Sequence, residues 1–353
     1  MKEKSRKIGF TCAYTPLAVI EAAGFTPHRI LPLSEVADQA GQLLHDNICP
    51  HVKRVLDRAL SGDLPDLQGV VFMNSCDAMR RLADAWRTAR PTDPVTILDL
   101  PIGADDRSVA YFQEEIEKLA TWLGALDGER VTGDQIVSSV RKYNQAATAL
   151  ERAAKSAAVG GLRGGRRALQ ELFNRSVTSP LDDIPALVEQ QLQNNEPKKD
   201  ALVPVFVFGN VLPDPDAFEM LASCGVHVVL DDLCSGSRQI TELDVSRAAT
   251  AWGDLSRALL SRPACARSLP SLLPGEHARR ILSMAQESGA RGVIAHVMKF
   301  CDPYLVRMPA IRQTLRNADI PLLTLEGDCT QRSLGQQRTR IEAFVEMIGG
   351  SPS

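Results

Sequence analysis

The sequence predicts an α/β protein: two parallel-sheet domains facing a cleft, with a helical segment between them. Three observations carry that prediction. Short apolar runs alternate with helix-patterned stretches up to about residue 101. From about Ser108 to Leu192 the pattern is helical throughout, after which the alternation begins again. The second round repeats the first, since ARGVIAHVMKFC (290–301) matches LQGVVFMNSC (67–76) as a strand ending in cysteine. Strands separated by helices of this length imply parallel sheets covered on both faces.

Taken in order, KIGFTCAY (7–14) is a strand entering a loop, and TPLAVIEAAG (15–24) is an apolar-periodic helix that Gly24 closes. HRILPL (28–33) is a second strand. ICPHVKRVLDRALSG (48–62) starts a helix, with Pro50 suited to its first turn and Gly62 to its end. LQGVVFMNSC is a third strand, DAMRRLADAWRTAR (77–90) a helix and PVTILDLP (94–101) a fourth strand. Helices follow in YFQEEIEKLATWLGAL (111–126), GDQIVSSVRKYNQAATALERAAKSA (133–157) and RRALQELFNRS (166–176). Between them VGGLRGGRR (159–167) lacks the Lys-Ser/Thr ending of a phosphate loop and reads as a solvated connector; QNNEPKKD (193–200) is a polar linker. LVPVFVFGNVLP (202–213), HVVLDDLCSGSR (227–238), ARGVIAHVMKFC and IPLLTLEGDC (320–329) are the second set of strands, with the helix PDAFEMLASCG (215–225) after the first. The expected organisation is a Rossmann-like domain over 1–107, a helical segment and linker over 108–200, and a second Rossmann-like domain over 201–353.

Composition excludes several classes of function. A formal net charge of −3, with 44% hydrophobic and 24% charged residues, gives no reason to expect nucleic acid or an anionic membrane as partner. No apolar stretch approaches a membrane span, and MKEKSRKIGF has no apolar region of a signal peptide, so the expected compartment is the cytoplasm. There is no G-x-S-x-G, H-E-x-x-H or Walker A sequence, and no full G-x-G-x-x-G after a strand. Any dependence on ATP must come from another protein.

Eight cysteines in a compartment that keeps thiols reduced need an explanation. Cys224, in LASCGVHVVL, and Cys265, in RPACARSL, fit the reading of small hydrophobes or idle thiols. The other six sit beside turn or strand-end residues. Cys12, Cys76, Cys234, Cys301 and Cys329 lie at or just beyond strand ends, and Cys49 at a helix start. Ligands of open α/β sheets bind beyond the carboxyl ends of strands, so two facing domains would gather all six in one cleft. Converging thiolates select zinc, copper(I) or an iron–sulfur cluster. Structural zinc usually shows close C-x2-C pairs, which are absent here; long irregular spacings suit a cluster built from separate loops. Cys49 and Cys76 each precede a helix, whose amides and dipole favour anionic sulfur, although Pro50 and Asp77 also serve plain helix initiation. His296 reads as a core residue rather than a ligand. For Asp231, Asp232, Glu326 and Asp328, loop solvation and helix capping compete with any chemical role.

These residues support a family resemblance. TCAYTPLAVIEAAGFTPHRILP resembles the opening of the D-component family of 2-hydroxyacyl-CoA dehydratases and benzoyl-CoA reductases. NICPHVKRVLDRAL, NSCDAMRRL, VLDDLCSGSR, MKFCDPY and LEGD followed by QQRTRIEAFVEMI resemble that family's blocks in the same order, over nearly the whole chain. The resemblance implies two α/β domains holding an oxygen-labile cluster in the cleft. It implies a [4Fe–4S] cluster with three cysteine ligands, at Cys49, Cys76 and Cys301, and a separate ATP-hydrolysing iron–sulfur activator that delivers an energised electron. Cys12, Cys234 and Cys329 depart from the dehydratase pattern. With them the chain is most similar to the double-cubane branch, in which six cysteines hold two [4Fe–4S] units sharing a sulfide ([8Fe–9S]), the protein is a homodimer, and small molecules are reduced. The alternatives are a [4Fe–4S] subunit of a heterodimeric dehydratase or benzoyl-CoA reductase, and a non-enzymatic cluster carrier or zinc-bound scaffold.

Overall fold

The computed structural model describes residues 6–33, 38–127, 130–193, 202–269, 274–327 and 337–349. The first sheet contains β1 (Lys7–Phe10), β2 (Thr26–Arg29), β3 (Leu67–Asn74) and β4 (Val95–Asp99), all parallel, in the order β2-β1-β3-β4. The second contains β5 (Val203–Gly209), β6 (Val226–Asp232), β7 (Gly292–Met298) and β8 (Leu322–Gly327), also all parallel, in the order β6-β5-β7-β8. The two orders are the same, so the repeat read from the strands is a repeat of topology. β1 and β5 occupy corresponding places, as do β3 and β7.

Each sheet is buried on both faces, and the pleat sorts its side chains accordingly. In β3, Val71 and Met73 face one core while Val70 and Phe72 face another. In β5, Val205 and Val207 face one side, Phe206 and Phe208 the other. Helices α1 (Leu17–Ala22), α2 (Pro50–Ser61) and α3 (Asp77–Ala89) cover the first sheet. Gly62, at φ 73°, ends α2 in the left-handed conformation that its lack of a side chain permits. The second sheet carries α8 (Pro215–Ser223), α10 (Pro274–Glu287), α11 (Asp302–Asn317) and α12 (Arg338–Gly349).

The helical segment comprises α4 (Asp106–Asp127), α5 (Gly133–Ala158), α6 (Gly165–Ser176) and α7 (Ile184–Leu192). Its apolar faces share one core with β1, β3 and α1. α9 (Ala251–Leu260), which strand alternation did not signal, joins the same core through Leu255 and Leu259. Thr132 and Gln135 form a capping box at the start of α5.

Two expectations change. The second strand begins earlier, at Thr26, and stops at Arg29, because the last pair with its only sheet neighbour is Phe10–Arg29. The basic connector is only partly solvated: Arg166 is buried in an ion pair with Asp231, and Arg167 bonds Asp216 at 2.9 Å. These charges tie α6 to the second sheet.

Candidate metal centre

In both sheets the chain leaves the first strand in one direction and the third in the other, so a crevice opens between their carboxyl ends. Cys12 lies two residues beyond β1 and Cys76 two beyond β3. In the second sheet Asn210 follows β5, Cys234 lies two residues beyond β6, and Cys301 three beyond β7. The two crevices face one another. Cys12, Cys49, Cys76, Cys234 and Cys301 all line one cavity of about 130 Å3 between the sheets. Cys329 lies outside the described residues.

Three of these thiols are helix N-caps: Cys49 for α2, Cys76 for α3 and Cys301 for α11. Pro at the first or second position of α2 and α11 removes an amide that would have had no partner. The remaining first-turn amides point toward the sulfurs' end of each helix, where negative charge is favoured. Cys301 Sγ also accepts a hydrogen bond from Asn210 Nδ2 at 2.9 Å, and Cys234 Sγ one from Arg238 Nη1 at 3.1 Å.

The thiols are held well above their ordinary range. Burial pushes Cys12 and Cys49 up to about 12 and Cys301 up to about 11, with neighbouring cysteines adding to the shift. Burial also raises Cys76, against the pull of the Met79 and Ala78 amides, and Cys234, against Arg238. At neutral pH these are therefore neutral S–H groups until a metal displaces their protons.

The charged side chains of the lining are cationic and stand among apolar ones such as Val52, Met79 and Val211. Arg29, Arg238, Arg262 and Arg267 border the cavity, and among the described residues no carboxylate does. Arg238 is neutralised by Asp232, at 2.7 and 2.9 Å, and Asp232 also pairs with Arg280. Burial opposes ionisation of Asp232, but Arg238 and Arg280 outweigh it and lower its pKa. Arg29, 1% exposed, donates among the described residues to Cys234 O and Gln239 Oε1. Arg262 donates to Ala13 O and Tyr143 Oη. Among the described residues several buried polar atoms here have no partner: Thr11 Oγ1, Arg29 Nε, His51 Nδ1, Arg262 Nε and Arg267 Nη1. Buried donors without acceptors are rare and costly.

Among the described residues no three His, Cys, Asp or Glu side chains close on a single point as one metal ion requires. The thiols stand around a void. Soft donors spread round a positive cavity with orphaned N–H and O–H groups fit a polynuclear, anionic, sulfide-containing group better than a lone zinc ion.

The other predicted residues sort clearly. Asp231 organises the loop after β6 by accepting from Leu233 N and Ser237 N at 3.1 and 2.9 Å, the capping role that competed with chemistry. His296 is buried within β7. Cys224 is buried in the core beside Met220. Cys265, read as a small hydrophobe or idle thiol, packs partly buried against the first core and also borders the thiol cavity. It sits in a loop after α9, where no strand end flags it. The arginines were missed as well, since the burial of a charge is visible only once packing is known.

A second, more open groove of about 550 Å3 adjoins the cavity and shares Cys49, Cys76 and Cys301 with it. Exposed Ile102, Phe300, Leu305 and Val306 give it an apolar rim.

Fold and site together define a two-lobed α/β protein with a thiol-lined cleft between parallel sheets. The chain belongs to the family described as 2-hydroxyglutaryl-CoA dehydratase, D-component, whose model matches residues 12–348. It is 22% identical to the (R)-phenyllactyl-CoA dehydratase beta subunit of Clostridium sporogenes, over 99% of this chain and 93% of that protein. It is 23% identical to the beta subunit of lactoyl-CoA dehydratase of Anaerotignum propionicum (97% and 91%) and 22% identical to one subunit of the benzoyl-CoA reductase of Thauera aromatica (98% and 92%). These relatives are dehydratase and reductase components. No helix among the described residues is long and apolar enough to cross a membrane.

Proposed function

We propose that the chain is the electron-accepting component of an ATP-driven iron–sulfur reductase, carrying a double-cubane [8Fe–9S] cluster. The observation that carries this reading is the convergence of five strand-end and helix-start thiols on one cationic cavity at the facing switch points of two sheets. Cys12, Cys49, Cys76, Cys234 and Cys301 would hold the cluster, with Cys329 as the sixth ligand expected from the sequence. When bound, the cluster supplies low-potential electron storage for reducing a small molecule.

The chain's own residues set the conditions. Asn210 and Arg238 donate hydrogen bonds to ligand sulfurs, and the first turns of α2, α3 and α11 bring amides to the sulfurs that cap them. Donors and positive charge stabilise the reduced state, while burial penalises its added charge. A partner ATPase would deliver the electron, two copies of the chain would form a homodimer, and the compartment would be the cytoplasm.

A second reading is favoured by one observation: of the thiols among the described residues, the open groove reaches Cys49, Cys76 and Cys301. Three thiols beside a groove suit a [4Fe–4S] subunit of a dehydratase, the activity in the names of several relatives. Iron and acid-labile sulfide in anaerobically purified protein decide between them. About eight iron atoms per chain are expected; about four support the dehydratase type, and zinc without iron overturns both.

A further inference from the structure

We infer that Cys265 is a metal-binding thiol that completes an inner trio with Cys12 and Cys234. The inference rests on the double-cubane reading and deepens it. Six thiols among the described residues border the central cavity: Cys12, Cys49, Cys76, Cys234, Cys265 and Cys301. The adjoining groove divides them in half. Cys49, Cys76 and Cys301 face both spaces, each as the N-cap of a helix; Cys12, Cys234 and Cys265 border only the inner cavity, each on a loop.

Cys265 is held there by the loop that carries Cys12. Tyr14 Oη and Ser268 Oγ are 2.8 Å apart, and Ser268 Oγ accepts from the Cys265 amide at 3.0 Å. Arg262 Nη1 donates to Ala13 O at 3.2 Å. These bonds fix the 262–268 segment against residues 13–14 from either side of Cys265. Among the described residues its sulfur has the Ser268 hydroxyl as hydrogen-bond partner, 3.6 Å away. Cys224 shows the contrasting case of a thiol packed into a core and remote from the cavity. On binding, an iron–sulfur bond replaces the Cys265 S–H bond and the proton leaves to solvent, as for the other ligands. Six candidate ligands are then present among the described residues.

The test compares iron, acid-labile sulfide and the EPR spectrum of the reduced protein in anaerobic wild type, Cys265→Ser and Cys224→Ser. Cys265→Ser is expected to hold about half the wild-type iron with an altered spectrum, while Cys224→Ser keeps the wild-type complement. Wild-type iron and spectrum in Cys265→Ser overturn the inference. About four iron atoms in wild type overturn the double-cubane reading instead, and the ratio of Cys265→Ser to wild type still decides Cys265. Alkylation mapped by peptide in unsubstituted protein avoids any folding defect. Cys265 should be protected when iron is bound and labelled once it is chelated; equal labelling in both states overturns the assignment.

Discussion

Asn210 and Cys301 are joined across the switch point of the second sheet. Asn210 Nδ2 donates to Cys301 Sγ at 2.9 Å, and its Oδ1 accepts from Met298 N at 3.0 Å. The amide is thus anchored at one end and aimed at sulfur at the other. Donation to a ligand sulfur favours the more negative, reduced state of a bound cluster. Asn210→Ala should lower the midpoint potential by on the order of 50 mV, taking a bond worth roughly 1 kcal/mol and about 59 mV per 1.4 kcal/mol for one electron. An EPR-monitored redox titration reads the shift, and an unchanged potential would show that the bond has no electronic role.

Arg29 offers a test of the cavity's charge. It is buried and, among the described residues, has no carboxylate partner; burial lowers its pKa, and thiolates formed at Cys234 and Cys12 would oppose that shift. Arg29→Gln should lower the midpoint potential and speed the loss of iron to a chelator severalfold. Arg167→Gln, at an exposed ion pair on α6, should change neither. Equal chelation rates in the two variants would mean that the cationic lining does not compensate a bound anion.

Gly209 permits the approach that places Asn210. Its φ is 149°, and a Cβ there would sit 1.8 Å from His296 O, a backbone atom of the neighbouring strand. Gly209→Ala must push β5 from β7 where Asn210 N bonds His296 O. We expect a loss of about 2 kcal/mol or more in urea unfolding of the metal-free protein, within or above the usual range for overpacking. Stability equal to wild type would contradict the close approach.

Acid sensitivity of the metal-free protein should carry a histidine component. Burial lowers His28 to about 4, with Lys7 adding to the effect, and lowers His277 to about 3, with Arg238 and Arg280 adding. Both folded values lie below the unfolded value of about 6.5. Between them the unfolded chain binds more protons, so stability rises with pH through this window. On acidification the loss begins near pH 6.5 and ends only as pH falls through the folded values, at up to about 1.4 kcal/mol per pH unit for each group. His277→Phe, retaining a ring against Tyr304, should flatten the fall in urea midpoint between pH 7 and 5 relative to wild type. Parallel curves would remove His277 from the account.

Much of the fold and most of the thiol set were legible in the residues. Strand periodicity, interrupted by Gly and Pro, marks the ends of β1, β3, β6 and β7, and a cysteine beyond the end of such a strand is placed near a crevice by topology. Cys49, Cys76 and Cys301 were readable too, because a helix follows each at once and fixes its position. Cys224 was legible as a core residue for the same local reason: it ends an apolar helix.

What local pattern cannot carry is the meeting of segments distant in the chain. Cys265 lies in a loop, and only the bonds of Tyr14 to Ser268 and Arg262 to Ala13 bring it to Cys12. Arg29 reads as one more residue of a short strand, yet packing buries its charge beside Cys234, more than two hundred positions away. Sequence by itself determined the two sheets and which thiols stand at their ends, since both follow from short-range periodicity. Only the tertiary structure decided that the two ends face one cavity bordered by buried arginines, because burial and charge balance are properties of neighbours in space.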